Sequence, residues 1–216
     1  MSTCSRAIVE LSLPCFKEPE IDGLLGELPD HATISIRGVS GSGKTLVGEN
    51  ILESALEAGQ ICRYLIVGSQ EEGRESLNQA TGTGVDFLTH IPNGTIAIDV
   101  VDEPGLHSML YNLVGFRDVD LLLIDSLDSL ESVDLTTAEK ALFWLGMQHG
   151  TSVVCISRVN VGDSRPYADL TIDMARAGGE VESPNADSVI SVKTAKKTIE
   201  RAFLVEGYGF HLWEYK

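Results

Sequence analysis

Between Ala32 and Gly59 the chain reads ATISIRGVSGSGKTLVGENILESALEAG, and its middle sets Gly38, Val39, Ser40, Gly41, Ser42 and Gly43 directly ahead of Lys44 and Thr45. Glycine and serine at this density let the backbone take unusual dihedrals, so that consecutive N–H groups can point inward at an anion. The spacing fits G-x-x-x-x-G-K-[ST], a phosphate-binding loop. Leu46, Val47, Ile51, Leu52 and Leu56 recur at helical spacing, which predicts a helix over Lys44 to Glu57 ended by Gly59. Lys44 then falls in the first turn, where the helix dipole is positive and a cation is unfavourable unless an anion shares the site. Thr45 offers the hydroxyl that would complete the shell of a magnesium ion bridging terminal phosphates. These residues point to a bound nucleoside triphosphate with Mg2+.

A second feature supports that chemistry. Asp120-Leu121-Leu122-Leu123-Ile124-Asp125 is a continuous apolar run closing on a carboxylate, as expected of a central parallel strand buried on both faces. Open α/β sheets bind ligands at the C-terminal ends of their strands. Asp125, paired with the upstream lysine, is therefore the candidate to hold magnesium through its waters.

The elements that must position these groups follow from the flanking pattern. Ile34 and Ile36 mark the strand before the loop, and Tyr64 to Val67, Thr95 to Val101 and Thr151 to Ile156 read as further strands. Helices are predicted over His107 to Phe116 and Thr136 to Gly150, with a short one at Ala168 to Ala177. Ser188 to Val192, Ile199 to Val205 and Phe210 to Glu214 read as closing strands, the last two forming a hairpin around Gly207 and Gly209. Pro14, Pro19 and Pro29 break any long helix in residues 1 to 30, with a helical turn expected at Ile21 to Gly26. The pattern gives an α/β fold: a lead-in of residues 1–30 and one domain of residues 31–216, a mostly parallel sheet flanked by helices.

Composition narrows the function classes. Asp and Glu number 32 against 16 Lys and Arg, a formal charge of −16, which opposes autonomous capture of a phosphate backbone. Cys4, Cys15, Cys62 and Cys155 form no C-x-x-C pair, and His31, His90, His107, His149 and His211 form no H-E-x-x-H. No G-x-S-x-G elbow is present either, so zinc and serine hydrolysis find no support. No run is long enough to span a membrane and no leader is expected, which makes the cytoplasm, or the nucleus in a eukaryote, the expected location.

The loop GVSGSGKT, the Ile124 to Leu127 run IDSL and the lead-in IDGLLGELP together resemble the RecA superfamily, and in particular the KaiC, RadA and DnaB-type ATPase domain. The resemblance covers nearly the whole chain, and its specific motifs are the loop and the IDSL run. It implies a RecA-like sheet with a C-terminal β-hairpin, and ATP held between neighbouring subunits of a homo- or hetero-oligomeric ring or filament. The family's glutamate pair after the second strand falls on Gln70 and Glu71, so its first member is altered. Glutamine orients water but accepts no proton, which leaves Glu71 or Glu72 as base; as first-turn acids they also suit a helix dipole. The family's polar sensor falls on Ser157 or Arg158. Its Lys-x-Arg, which reaches a neighbour's γ-phosphate, aligns with Glu206 and Tyr208, so the trans cation is missing and would come from a partner protein or from Arg158 or Arg165.

The resemblance implies a magnesium-dependent ATP-binding subunit acting in DNA recombination, repair or replication. In it Lys44 and Glu71 would serve catalysis, the loop from Gly38 to Thr45 and Arg158 would bind phosphate, and Thr45 and Asp125 would bind the metal. Turnover would be slow without a partner. Lys193, Lys196, Lys197 and Arg201 form a basic cluster that could line a nucleic-acid groove or simply be solvated, whereas Arg158 to Asp187 carries more acids than bases. The alternative is a KaiC-like assembly switch, its ATP state controlling protein contacts without nucleic acid.

Overall fold

The computed structural model describes residues 19–26, 28–71, 73, 74, 77, 89–130, 134–158, 168–176, 188–194, 197–206 and 209–212. In chain order these form α1 (Pro19–Gly26), β1 (Thr33–Gly38), α2 (Lys44–Glu57), β2 (Cys62–Val67), β3 (Ile96–Val101), α3 (Glu103–Tyr111), β4 (Leu121–Asp125), α4 (Leu135–His149), β5 (Ser152–Ser157), β6 (Leu170–Arg176), β7 (Ser188–Thr194), β8 (Thr198–Glu206) and β9 (Gly209–Leu212). Short 3-10 turns occupy Val114–Phe116 and Leu127–Ser129. Gln70 and Glu71 open a further helical stretch after β2.

All nine strands join one sheet in the order β3-β2-β4-β5-β1-β6-β7-β8-β9. The strands from β3 to β6 in that order pair in parallel, and β6 to β9 continue as an antiparallel meander. The closing hairpin is present, with Glu206 opposite Gly209. Every residue of β1, β4 and β5 is buried, as parallel strands covered on both faces require. On one face α1 and α2 pack Ile21, Leu24, Leu25, Val47, Ile51 and Leu52 over the sheet. On the other, Leu106, Phe116, Leu142 and Phe143 cover Leu122, Ile124 and Val153. Among the described residues no helix is long and apolar enough to cross a membrane.

Local chemistry sets the helix ends. Gly59 (φ 79°) donates to the Leu56 carbonyl at 2.9 Å and Gln60 to that of Ala55 at 3.0 Å, closing α2 with its C-terminal carbonyls satisfied. Asp134 caps α4 by accepting from Thr137 N at 2.8 Å, and Gly150 (φ 70°) ends it. The helix expected over His107 to Phe116 starts earlier, at Glu103. Asp102 accepts from Gly105 N at 2.8 Å and Pro104 sits in the first turn, where its missing N–H is harmless.

One element differs in kind. The helix expected at Ala168 to Ala177 is instead β6, a strand between β1 and β7. Residues 170 to 174 are all buried, with apolar Leu170, Ile172 and Met174 alternating with Thr171 and Asp173, a strand repeat that a short polar-flanked segment conceals until its neighbours are known.

β1 and β6 are also joined by charge. Arg37, 1% exposed, places Nη2 2.6 Å and Nε 2.8 Å from Asp173 Oδ1, and Lys193 Nζ lies 2.9 Å from Asp173 Oδ2. Burying a guanidinium is tolerable only with its carboxylate in place. Asp173→Asn should therefore lower unfolding free energy by about 3–5 kcal/mol, since it leaves a buried cation uncompensated. Urea denaturation monitored by tryptophan fluorescence measures this, and a change below about 1 kcal/mol would show that the pair is not structural.

Candidate functional site

The C-terminal ends of β4, β5 and β1 lie side by side, because β5 pairs with both of the others. Gly38 ends β1 so close to β6 that a Cβ on it would sit 2.1 Å from the Met174 carbonyl oxygen, so no larger residue fits where the loop begins. Gly41 (φ 71°) and Gly43 (φ 90°) take the left-handed backbone that curls the loop, while Val39 and Ser40 are exposed and Ser42 is buried. Gly43 is the N-cap of α2, which has no side-chain cap and no acid in its first turn. A helix start left in this state is a ready anion site.

Lys44 is the first residue of α2 and 8% exposed, and its Nζ donates to the Val39 carbonyl at 2.8 Å. Burial holds its ammonium below the ordinary lysine value and the Arg158 charge adds to this, while Asp128 and Asp125 pull the other way. Thr45 Oγ1 donates to Asp125 Oδ2 at 2.7 Å, which joins the loop to the end of β4. Burial raises the Asp125 carboxyl above the usual aspartate value, opposed by the Thr45 hydrogen bond and the Lys44 charge.

Beneath Asp125 lies a group that motif reading passes over. Tyr64 OH, fully buried, donates within 3.4 Å of Asp125 Oδ2 and 3.5 Å of Glu49 Oε1. Glu49 is 2% exposed, and burial, with the Asp125 charge adding to it, pushes its carboxyl up to about 8. It stands four residues after Thr45 on the buried face of α2, so its signal in the sequence is a charge where helical periodicity demands an apolar side chain.

Arg158 follows β5 and is gripped by Asp128 of the 3-10 turn. Its backbone N–H donates to Asp128 Oδ1, and its Nε lies 3.7 Å from Oδ2. Asp128, three residues beyond Asp125, was not singled out by spacing either. Ser157 Oγ, at the end of β5 across from Arg37, is buried with no hydrogen-bond partner among the described residues. Gln70 and Glu71 are exposed at the helical start after β2. The Gln70 amide donates to the Val100 carbonyl at 3.4 Å, toward the outer strand β3, and Glu71 makes no hydrogen bond or ion pair among the described residues.

The structure thus brings the loop from Gly38 to Thr45 together with Asp125 and places Arg158 close enough for its charge to act on Lys44. Glu72, Arg165, Lys196 and Tyr208 lie outside the described residues, as do Cys4 and Cys15, while Cys62 and Cys155 are buried and form no disulfide. Lys193 of the basic cluster is committed to Asp173. An uncapped helix start, an orphaned buried hydroxyl at Ser157 and the Lys44, Thr45 and Asp125 donor set are of the type that phosphate and magnesium take.

No family model and no curated protein matches the chain. Among solved structures it is similar to a KaiC-like protein from the hyperthermophilic archaeon Pyrococcus horikoshii, with 20% identity and a TM-score of 0.64 over 88% of this chain and 92% of that one. The fold is RecA-like, α/β with a mostly parallel sheet, as the sequence motifs implied.

The Glu49 carboxyl has a testable pH signature. Its folded-state value lies above the unfolded one, so the folded protein holds the extra proton between them and loses stability as pH rises through that window. Glu49→Gln should gain about 2–3 kcal/mol relative to wild type between pH 5 and pH 8. Urea midpoints for both proteins at the two pH values report it, and a constant difference between them would remove Glu49 from the account.

Proposed function

We propose that the chain is a magnesium-dependent ATP-binding subunit of a RecA-like oligomer, slow to hydrolyse ATP alone, and active in DNA recombination, repair or replication. The observation that carries the reading is the 2.7 Å bond from Thr45 to Asp125, which brings together the two oxygens that would bind magnesium. Lys44 and the loop N–H groups would hold the phosphates, and Thr45 and Asp125 the magnesium. Arg158 would face the terminal phosphate, with Glu71 positioning water or accepting its proton. Bound magnesium would draw charge from the transferring phosphoryl group.

Slow turnover follows from two features of this chain. Gln70 stands where the first glutamate is expected and cannot act as a base. Glu206 closes β8 where the family's cationic pair would begin, and a finger of that kind is worth orders of magnitude in rate. A homo-oligomer would therefore hold ATP more readily than it cleaves it, unless a partner protein supplies the cation.

A second reading, an assembly switch with no nucleic acid, is favoured by one observation. Lys193, part of the only dense basic run in a chain of charge −16, is paired with the buried Asp173. Electrostatic capture of DNA is thereby weakened.

Calorimetry with ATP and magnesium tests the central claim. Lys44→Ala should abolish binding, and unchanged binding in that variant would sink the proposal. Turnover should rise when the true partner is added. Titration of single-stranded DNA from low to high salt separates the two readings, because no signal at low salt leaves only the switch.

A further inference from the structure

Arg158 is held in an unusual way. Asp128 takes its backbone N–H on Oδ1 and approaches its side chain by Oδ2, with Nε the closest nitrogen at 3.7 Å. The Arg158 side chain is 62% exposed and that of Asp128 only 19%. The carboxylate therefore anchors the root of the arginine by a hydrogen bond and draws the side chain from the Nε side at ion-pair distance, with no ion pair from the terminal nitrogens among the described residues. A guanidinium approached on its Nε side still offers a planar pair of donors to a phosphate.

Asp128 is itself anchored. It belongs to the 3-10 turn Leu127–Ser129, which follows directly on Asp125 through Ser126. Ser126 Oγ accepts from Asp128 N at 3.3 Å, and Ser129 Oγ donates to the Val67 carbonyl at the end of β2 at 2.9 Å. Leu127 is fully buried. One turn is thus tied to the end of β2, the end of β4 and the residue after β5.

We propose that Asp128 is a positioning residue that holds Arg158 toward the terminal phosphate, so that the turn after β4 sets the preference of this site for a nucleoside triphosphate over a diphosphate. This rests on the reading that the loop binds ATP and that Arg158 meets the terminal phosphate. A carboxylate there would repel phosphate if it faced it, so its value lies in the arginine it orders, whose rotamer freedom would otherwise be lost on binding.

The test is the ratio of ADP to ATP dissociation constants, measured by calorimetry with magnesium on the full chain for wild type, Arg158→Ala, Asp128→Ala and Asp128→Asn. Arg158→Ala should lower the ratio about tenfold, the worth of one charge-assisted hydrogen bond. Asp128→Ala should lower it comparably, since the loss of its charge beside Lys44 bears on ADP and ATP alike and cancels in the ratio, and the double variant Asp128→Ala with Arg158→Ala should fall no further than either alone, since both act through one contact. Asp128→Asn, which keeps an acceptor for the Arg158 N–H, should retain part of the ratio. Equal weakening of ADP and ATP in both Asp128 variants would show a merely structural turn and overturn the inference. A raised ratio would overturn it too, by showing that Asp128 competes with phosphate for the guanidinium. If Arg158→Ala leaves the ratio unchanged, the parent reading of Arg158 fails and takes this one with it; if Arg158→Ala acts and Asp128→Ala does not, only the role of Asp128 is lost.

Discussion

A lysine ammonium buried at the positive end of a helix is the constraint to which the surrounding chain answers. Lys44 opens α2, where the dipole and the loss of water both disfavour its charge. One loop carbonyl and two carboxylates, Asp128 and Asp125, offset this. Those carboxylates cannot multiply freely, because Asp125 is itself buried beside Glu49. Glu49 resolves the conflict by keeping its proton near neutral pH, with Tyr64 OH standing between the two acids. The site is therefore poised near charge balance, and an arriving anion would be drawn by Lys44 and by the uncapped first turn rather than by a surplus of free cations.

Sheet order turns this local balance into a fixed geometry. β5 lies between β4 and β1, so residues distant in the chain, Asp125, Ser157 and the loop after Gly38, emerge at one edge. The loop leaves β1 against the Met174 carbonyl of β6, and the Arg37 to Asp173 pair clamps those strands one residue earlier. The clamp contributes registry more than net energy, since a buried pair repays little beyond its desolvation. What it ensures is that the loop departs from the same height on every molecule.

The legible part of the molecule was the part written in neighbouring residues. The phosphate loop, the helix over Lys44–Glu57 and the apolar run into Asp125 each lie within a short window, so spacing sufficed. β6 was misread because LTIDMAR is too short for its two-residue repeat to stand out, and burial between β1 and β7 decides its state. α3 shifted because the Asp102 cap and Pro104 outweigh the apolar residues downstream. Glu49, Asp128 and the Arg37 to Asp173 pair were hidden for another reason. Their meaning depends on partners 15, 30 and 136 positions away, and no local pattern distinguishes a buried acid from a solvated one.

On the proposed reading, the outer boundary of the site bears on whether binding is followed by chemistry. A general base must come within hydrogen-bond reach of the water it deprotonates. Here the segment after β2 sends the Gln70 amide to Val100 on β3 and leaves Glu71 exposed. The groups that would grip a nucleotide, by contrast, meet where the loop after β1 and the start of α2 reach the end of β4, Thr45 donating to Asp125. Binding energy gained without turnover stays in the bound state and stabilises whichever conformation or assembly the ligand prefers, growing with the logarithm of the free ligand concentration once that exceeds the dissociation constant. A site built in this way lends itself to nucleotide acting as a structural ligand whose removal is timed from outside the subunit.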